Sequence, residues 1–275
     1  MSLVLRRRRA PVLVSAHRFG AGDDASQENS RDALTDCLAL GVDYVEFDVQ
    51  RCVDGTFVVS HSAYVQLGPD RVRISELTLP QLRALRPDTL RYVEVLDALV
   101  GRAKAHIDLK FTSPDDRYDD PPSTYEAEAA RLAVERLGAA ELIVTTLDDQ
   151  AVRALRDWAD RAGVELLVGL SLGRSVRGLP WPEQLRVRVS ELRPQLRLRE
   201  SRANLVVAKH TLARLGVAAI ARRRGLPLLV WTIDTEDSLH YWMKPGRAWL
   251  VTSNYPDAAL RTRAAWTRPH RRPTP

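Results

Sequence analysis

Val45-Glu46-Phe47-Asp48-Val49 alternates apolar and acidic residues, and about sixty positions later His106-Ile107-Asp108-Leu109-Lys110 alternates in the same way. On a strand, residues i and i+2 project to the same side, so each segment aims a pair of polar or charged side chains at one place. Carboxylates inside apolar strands are paired or hold a cation, because burying them alone is costly. Two histidines close similar apolar runs: His17 after Pro11–Ala16, and His61 after Phe57–Ser60. The simplest common cause is a metal-bearing site at the strand ends of a sheet or barrel.

Working outward, short apolar runs alternate with longer amphipathic ones. Strands are expected at Pro11–Ala16, Asp43–Val49, Ala105–Phe111, Glu141–Thr146, Val164–Leu170, Asn204–Lys209, Leu226–Thr232 and Ala248–Ser253. Asp54-Gly55 signals a hairpin into a further strand, Thr56–His61. Helices are expected at Arg31–Leu40 (closed by Gly41), Leu79–Leu85, Val93–Gly101, Ser123–Leu137, Asp149–Ala162, Pro182–Leu192, Leu212–Arg224, Thr235–Met243 and Pro256–Trp266. Eight strand–helix units in 275 residues predict a (β/α)8 TIM barrel in one domain spanning 1–275. Ser62–Tyr92 is polar and punctuated by Pro69, Pro80 and Pro87, and reads as a short insertion after the second strand. Residues 267–275 read as a loose tail.

The formal net charge is +6, carried mostly by arginines dispersed among acidic residues. Such a surface draws anionic small molecules. It lacks the aromatic-interleaved basic stripe of a nucleic-acid binder, so no nucleic-acid partner is expected. No run approaches the ~18 apolar residues of a membrane span, so no stable membrane insertion is expected, although Arg6–Arg9 could touch a membrane surface. The only cysteines, Cys37 and Cys52, read as a reduced pair, which with the absence of a signal-peptide core points to the cytoplasm. Oligomeric state is not legible.

In a barrel of this type the chemistry lies at the C-terminal strand ends. His17, Glu46, Asp48, His61, Asp108, Lys110 and Trp231 all fall there. Taken singly, each has a bland alternative: a structural histidine, carboxylates paired with arginines inside the barrel, a core tryptophan. Together they describe a site. Glu46, Asp48 and Asp108 are hard oxygen ligands suited to Ca2+ or Mg2+. Arg18 and Lys110 supply positive charge for a phosphate. Lysine occurs only at 104, 110, 209 and 244, so its use at 110 in an arginine-rich chain is informative. Two histidines can share general acid and base work near neutral pH.

These residues resemble the glycerophosphodiester phosphodiesterase family. His17-Arg18 with Glu28-Asn29-Ser30 resembles its H-R-G and E-N-T elements, and Gly41–Val49 its G-A-D-x-x-E-x-D-V strand. Asp54-Gly55 through His61 resembles its K-D-G-x-x-V-x-H-D hairpin, Ile107-Asp108-Leu109-Lys110 its I-E-I-K, and Val230–Asp234 its V-W-T-V-N. The resemblance implies a (β/α)8 barrel with His17 and His61 as acid/base pair and a divalent metal, Ca2+ or Mg2+, on Glu46, Asp48 and Asp108. Arg18, Lys110, Glu28 and Trp231 would bind substrate. It also implies hydrolysis of a small phosphodiester to glycerol 3-phosphate and an alcohol, through attack by the neighbouring glycerol hydroxyl and a cyclic phosphate. The chain departs from the pattern in an extra Phe19 before Gly20, Ser62 for an aspartate, Asp108 for a glutamate, and Ser253-Asn254-Tyr255-Pro256 for T-D-x-P. Two alternatives stay open: a phospholipase D or sphingomyelinase D-like lyase that stops at a cyclic phosphate, and a non-catalytic anion-binding barrel.

Overall fold

The computed structural model describes residues 10–173, 180–182, 184 and 193–267. Its strands are β1 (Leu13–Ala16), β2 (Tyr44–Arg51), β3 (Phe57–Val59), β4 (Tyr64–Leu67), β5 (Asp70–Arg73), β6 (Lys104–Leu109), β7 (Leu142–Thr146), β8 (Leu167–Leu172), β9 (Leu205–Lys209), β10 (Leu228–Trp231) and β11 (Leu250–Ser253). Eight of these run parallel in the order β1-β11-β10-β9-β8-β7-β6-β2, and β1 pairs with both β11 and β2 to close the ring. The chain is a (β/α)8 TIM barrel. β3 lies antiparallel on the C-terminal end of β2, with Val49 opposite Val59.

The period-two patterning of the strands builds two apolar shells. Outward-facing Val45, Phe47 and Val49 join the large core between strands and helices, together with Val14, Ile107, Val144 and Val168. Inward-facing residues of the lower barrel form a second cluster around Tyr44, Ile143, Leu205, Val207, Leu229 and Leu250. Packing there is tight enough to require glycine at 169, where a Cβ would meet Val207 Cγ2 at 2.5 Å. Above this plug the inward positions turn polar. The register sets Glu46 beside His106, Asp48 beside Asp108, and Asp108 beside Thr145.

The helices Arg31–Leu40, Leu79–Leu85 and Asp149–Ala162 have the bounds read from sequence. The first is capped by Ser30 Oγ, which accepts from the Ala33 N–H at 3.1 Å, and ends on Gly41 at φ 69°. The segment after β3 is more ordered than its polar composition suggests. β4 and β5 pair as a hairpin, and Val65, Ile74 and Leu82 pack with Cys52 and Val58 in a small cluster of their own. Of the hairpin's residues only Val65 is buried, so no alternation of apolar residues betrays it. The helix Pro194–Glu200 was likewise not foreseen. Most of the helix expected at Pro182–Leu192, the Arg6–Arg9 run and positions 268–275 of the expected tail lie outside the described residues. Cys37 and Cys52 are free and buried. Among the described residues no helix is long and apolar enough to cross a membrane.

Candidate active site

The first loop after β1 is held in an unusual conformation. Arg18 (φ 47°), Phe19 (φ 70°) and Gly20 (φ 76°) are all left-handed. For two non-glycine residues in succession that is strained, and surrounding contacts must over-determine it. The Arg18 N–H donates to Glu46 Oε2 at 2.6 Å, and the Arg18 carbonyl accepts from the Asn29 N–H at 3.1 Å. The extra Phe19 is buried with its ring 5.9 Å from Phe47, which gives the inserted residue a packing role. At Gly20 a Cβ would meet Pro256 Cγ at 2.6 Å.

Glu46, Asp48 and Asp108 offer oxygens that all lie within 4.8 Å of one another. Glu46 and Asp48 are buried and Asp108 is half-buried. Lys110 Nζ is 3.1 Å from Asp48 Oδ1 and also contacts Asp108. Arg18 Nε is 3.2 Å from Asp48 Oδ2, and its Nη1 donates to Glu28 Oε2 at 2.8 Å. Asn29 Nδ2 donates to Asp48 Oδ2 at 3.3 Å. Both expected phosphate ligands, Arg18 and Lys110, are therefore paired with carboxylates in this structure.

The two buried carboxylates are not equivalent. Burial would raise Asp48 as well, but Lys110 first and Arg18 second outweigh it and hold Asp48 below its ordinary value. Burial, followed by repulsion from Asp48 and Asp108, drives Glu46 well above the usual carboxylate range. Lys110 is pulled the other way: burial would lower it, and Asp108 and Asp48 raise it. The three-oxygen floor is thus short of positive charge at Glu46. A hard divalent cation fits on donor type and on charge, and thiolate ligands are absent from the cluster.

His17 stands at the top of β1, its Nε2 4.0 Å from Glu46 Oε2. Its Nδ1 meets Asn254 Oδ1 at 2.6 Å. The amide is fixed from behind: Asn254 Nδ2 donates to Asp234 Oδ2 at 2.9 Å, and the Asn254 N–H donates to Asp234 Oδ1 at 2.9 Å. An ionised carboxylate only accepts, so Oδ1 of Asn254 must face the imidazole. His17 is then protonated on Nδ1 and carries its lone pair on Nε2. Burial first, and Arg18 second, lower its pKa from 6.5, which keeps the ring neutral.

A second polar chain runs beneath Asp108. Thr145 Oγ1 donates to Asp108 Oδ1 at 2.8 Å. His106 Nε2 lies 3.2 Å from that hydroxyl, and His106 Nδ1 lies 3.1 Å from Ser15 Oγ. Burial lowers His106 to a pKa of about 3, so it is neutral. With Thr145 donating upward, His106 must donate from Nε2 and accept from Ser15. The direction of every hydrogen bond is set, and all three supporting residues are buried.

His61 follows β3 and is exposed on a cavity of about 730 Å3 that also reaches Glu28 and Asn29. Partial desolvation lowers its pKa, with Asp48 opposing and Arg18 and Lys110 assisting. Trp231 sits at the end of β10 on the barrel's inner apolar cluster, its buried Nε1 without a hydrogen-bond partner among the described residues. The structure thus links His17, Arg18, Glu28, Glu46, Asp48, Asp108 and Lys110 by direct contacts. Sequence reading assigned no role to Asn254, Asp234, Thr145 or Ser15. The available signals were positional: Thr145 and Ser15 stand at inward strand positions, and Asn254 follows the last strand.

Oxygen donors for a hard cation and side chains for an anionic ester meet at the barrel end where this fold does its chemistry, the layout of a phosphoric ester hydrolase. A family model described as "Glycerophosphoryl diester phosphodiesterase family" matches residues 17–258, and the chain belongs to that family of phosphoric diester hydrolases. Solved structures show the same fold. A candidate glycerophosphoryl diester phosphodiesterase from Silicibacter pomeroyi is 19% identical, with a TM-score of 0.73 over 96% of this chain and 99% of the other. A glycerophosphodiester phosphodiesterase from Parabacteroides distasonis is 15% identical, with a TM-score of 0.71 over 94% and 99%. A phosphodiesterase from Oleispira antarctica, solved with its product sn-glycerol-3-phosphate, is 17% identical, with a TM-score of 0.66 over 92% and 96%. No curated protein matches the sequence.

Proposed function

We propose that this protein hydrolyses small glycerophosphodiesters to glycerol 3-phosphate and an alcohol, with His17 and His61 moving the protons. The observation that carries the reading is the neutral, oriented His17, whose free Nε2 overlooks the carboxylate floor within a family of phosphodiesterases. Glu46, Asp48 and Asp108 would hold Mg2+ or Ca2+, which when bound supplies Lewis-acid stabilisation of charge developing on the phosphate.

His17 Nε2 takes the proton of the glycerol hydroxyl beside the phosphate. That oxygen attacks phosphorus, the bond from phosphorus to the alcohol oxygen breaks, and protonated His61 gives the departing oxygen its proton. In the second half the roles reverse. His61 takes a proton from water, water opens the cyclic phosphate, and His17 returns its proton to the glycerol oxygen. Arg18 and Lys110 exchange part of their carboxylate contacts for the phosphate oxygens.

The test is release of glycerol 3-phosphate from glycerophosphoethanolamine, measured with Mg2+, with Ca2+ and after chelation. Release that stops on chelation and returns with either ion supports the reading. Full activity in chelator overturns the metal's role. A cyclic phosphate that accumulates without glycerol 3-phosphate assigns the protein to the lyases instead.

A further inference from the structure

The cavity beside His61 contains an arginine whose charge no carboxylate among the described residues answers. Arg86 is half-buried, and burial lowers its pKa. Every other half-buried arginine among the described residues lies within 4.0 Å of a carboxylate or over an aromatic ring. Arg86 does neither. Its Nε donates to Thr89 Oγ1 at 3.1 Å and its Nη1 to Ser60 Oγ at 3.2 Å. These neutral hydroxyls hold the guanidinium without neutralising it. Among the described residues its Nη2 has no hydrogen-bond partner, and the residue lines the cavity.

The other charges around this cavity do not change the balance. Arg83 is tied to Glu94, and Glu28 to Arg18. Arg31, Asp32 and Asp88 are exposed at the rim. A desolvated guanidinium with no counter-charge is unfavourable by itself and favourable once an anion reaches it. The cavity adjoins His61, the group proposed to protonate the alcohol, so the alcohol occupies it. Glycerol offers only hydroxyls and has no use for a lone cation.

We propose that Arg86 is an anion subsite for the leaving alcohol, and that the preferred substrates are glycerophosphodiesters whose alcohol carries a carboxylate or phosphate group. This rests on the reaction proposed above. The exposed acids at the rim leave room for an ammonium beside that anion, as in serine.

Glycerophosphoserine and glycerophosphoethanolamine differ only by one carboxylate and form the matched pair for a test. The native protein is expected to favour the serine diester by about tenfold or more in kcat/KM, the worth of one charge-assisted hydrogen bond. In Arg86→Met the ratio falls to about one; in Arg86→Lys part of it survives. A glycerophosphodiester with a phosphorylated alcohol tells whether the site reads a phosphate as well. A native ratio of one or below overturns the subsite. So does an Arg86→Met protein in which both substrates fall by the same factor, which would make Arg86 a prop for the His61 loop or a ligand of the scissile phosphate. If neither diester yields glycerol 3-phosphate, the reaction reading fails separately. The subsite is then judged by calorimetric titration with phosphoserine and phosphoethanolamine, where tighter binding of phosphoserine that Arg86→Met abolishes supports it, and equal binding overturns it.

Discussion

The two histidines stand in contrasting settings. His17 is half-buried, fixed in one tautomer by Asn254 and Asp234, and carried on a strained loop anchored to Glu46. His61 is exposed, on the wall of a roomy cavity where half-buried Arg86 is held by the hydroxyls of Thr89 and Ser60. One side of the site is over-determined and the other is accommodating. Under the proposed reaction the difference separates two tasks: the nucleophile's geometry must be identical for every substrate, whereas the leaving alcohol is where substrates differ.

The largest effect that would break this contrast comes from deleting either histidine. His17→Ala and His61→Ala should each lower kcat by about 10³-fold, within the range for general acid–base groups. Activating the leaving group in advance, as in a nitrophenyl diester, should restore much of the rate to His61→Ala and little to His17→Ala. Equal rescue of both would erase the distinction.

A subtler change targets the support of His17. The exchange Asp234→Asn with Asn254→Asp keeps one carboxylate and one amide but places the charge directly on His17 Nδ1. A base works only when unprotonated, and the present lowered pKa puts the acid limb of kcat/KM below the ordinary 6.5. A carboxylate partner favours the protonated ring, so the acid limb should move to higher pH by about one unit or more. A pH–rate profile that does not move would show that Asn254 does not govern the ring. Asp234→Asn alone frees the amide to turn, which should lower kcat with little change in KM.

The smallest expected effect lies beneath the floor. Thr145→Val removes the donor to Asp108 and leaves His106 without an acceptor. It should weaken Mg2+ or Ca2+ binding by about tenfold, as second-shell losses do. It should also destabilise the fold by about 1–3 kcal/mol, visible as a lower Tm. Unchanged metal affinity in calorimetry would reduce the chain from Ser15 to Asp108 to a purely structural feature.

What could be read from the chain follows from how each contact is encoded. Glu46, Asp48, Asp108 and Lys110 announce themselves because a strand repeats every second residue, and an acid among valines and phenylalanines stands out. The eight-fold alternation is equally local. The supports were hidden for the opposite reason. Asn254 meets His17 across 237 positions and Thr145 meets Asp108 across 37, and neither residue type is unusual where it stands. The hairpin Tyr64–Arg73 was missed because its strands face solvent and bury almost nothing. Arg86 could not have been singled out in an arginine-rich sequence, since its distinction is the company it lacks.

The apolar plug around Tyr44, Leu205, Val207 and Leu229 has a consequence for traffic. With the barrel filled below the carboxylates by these side chains, the floor of the site is closed towards the opposite end of the barrel. Under the proposed reaction, substrate and products then pass on the strand-end side of that plug. The alcohol on the cavity side would depart before the glycerol phosphate on the floor, and an anion that lingers there would keep the next molecule waiting outside.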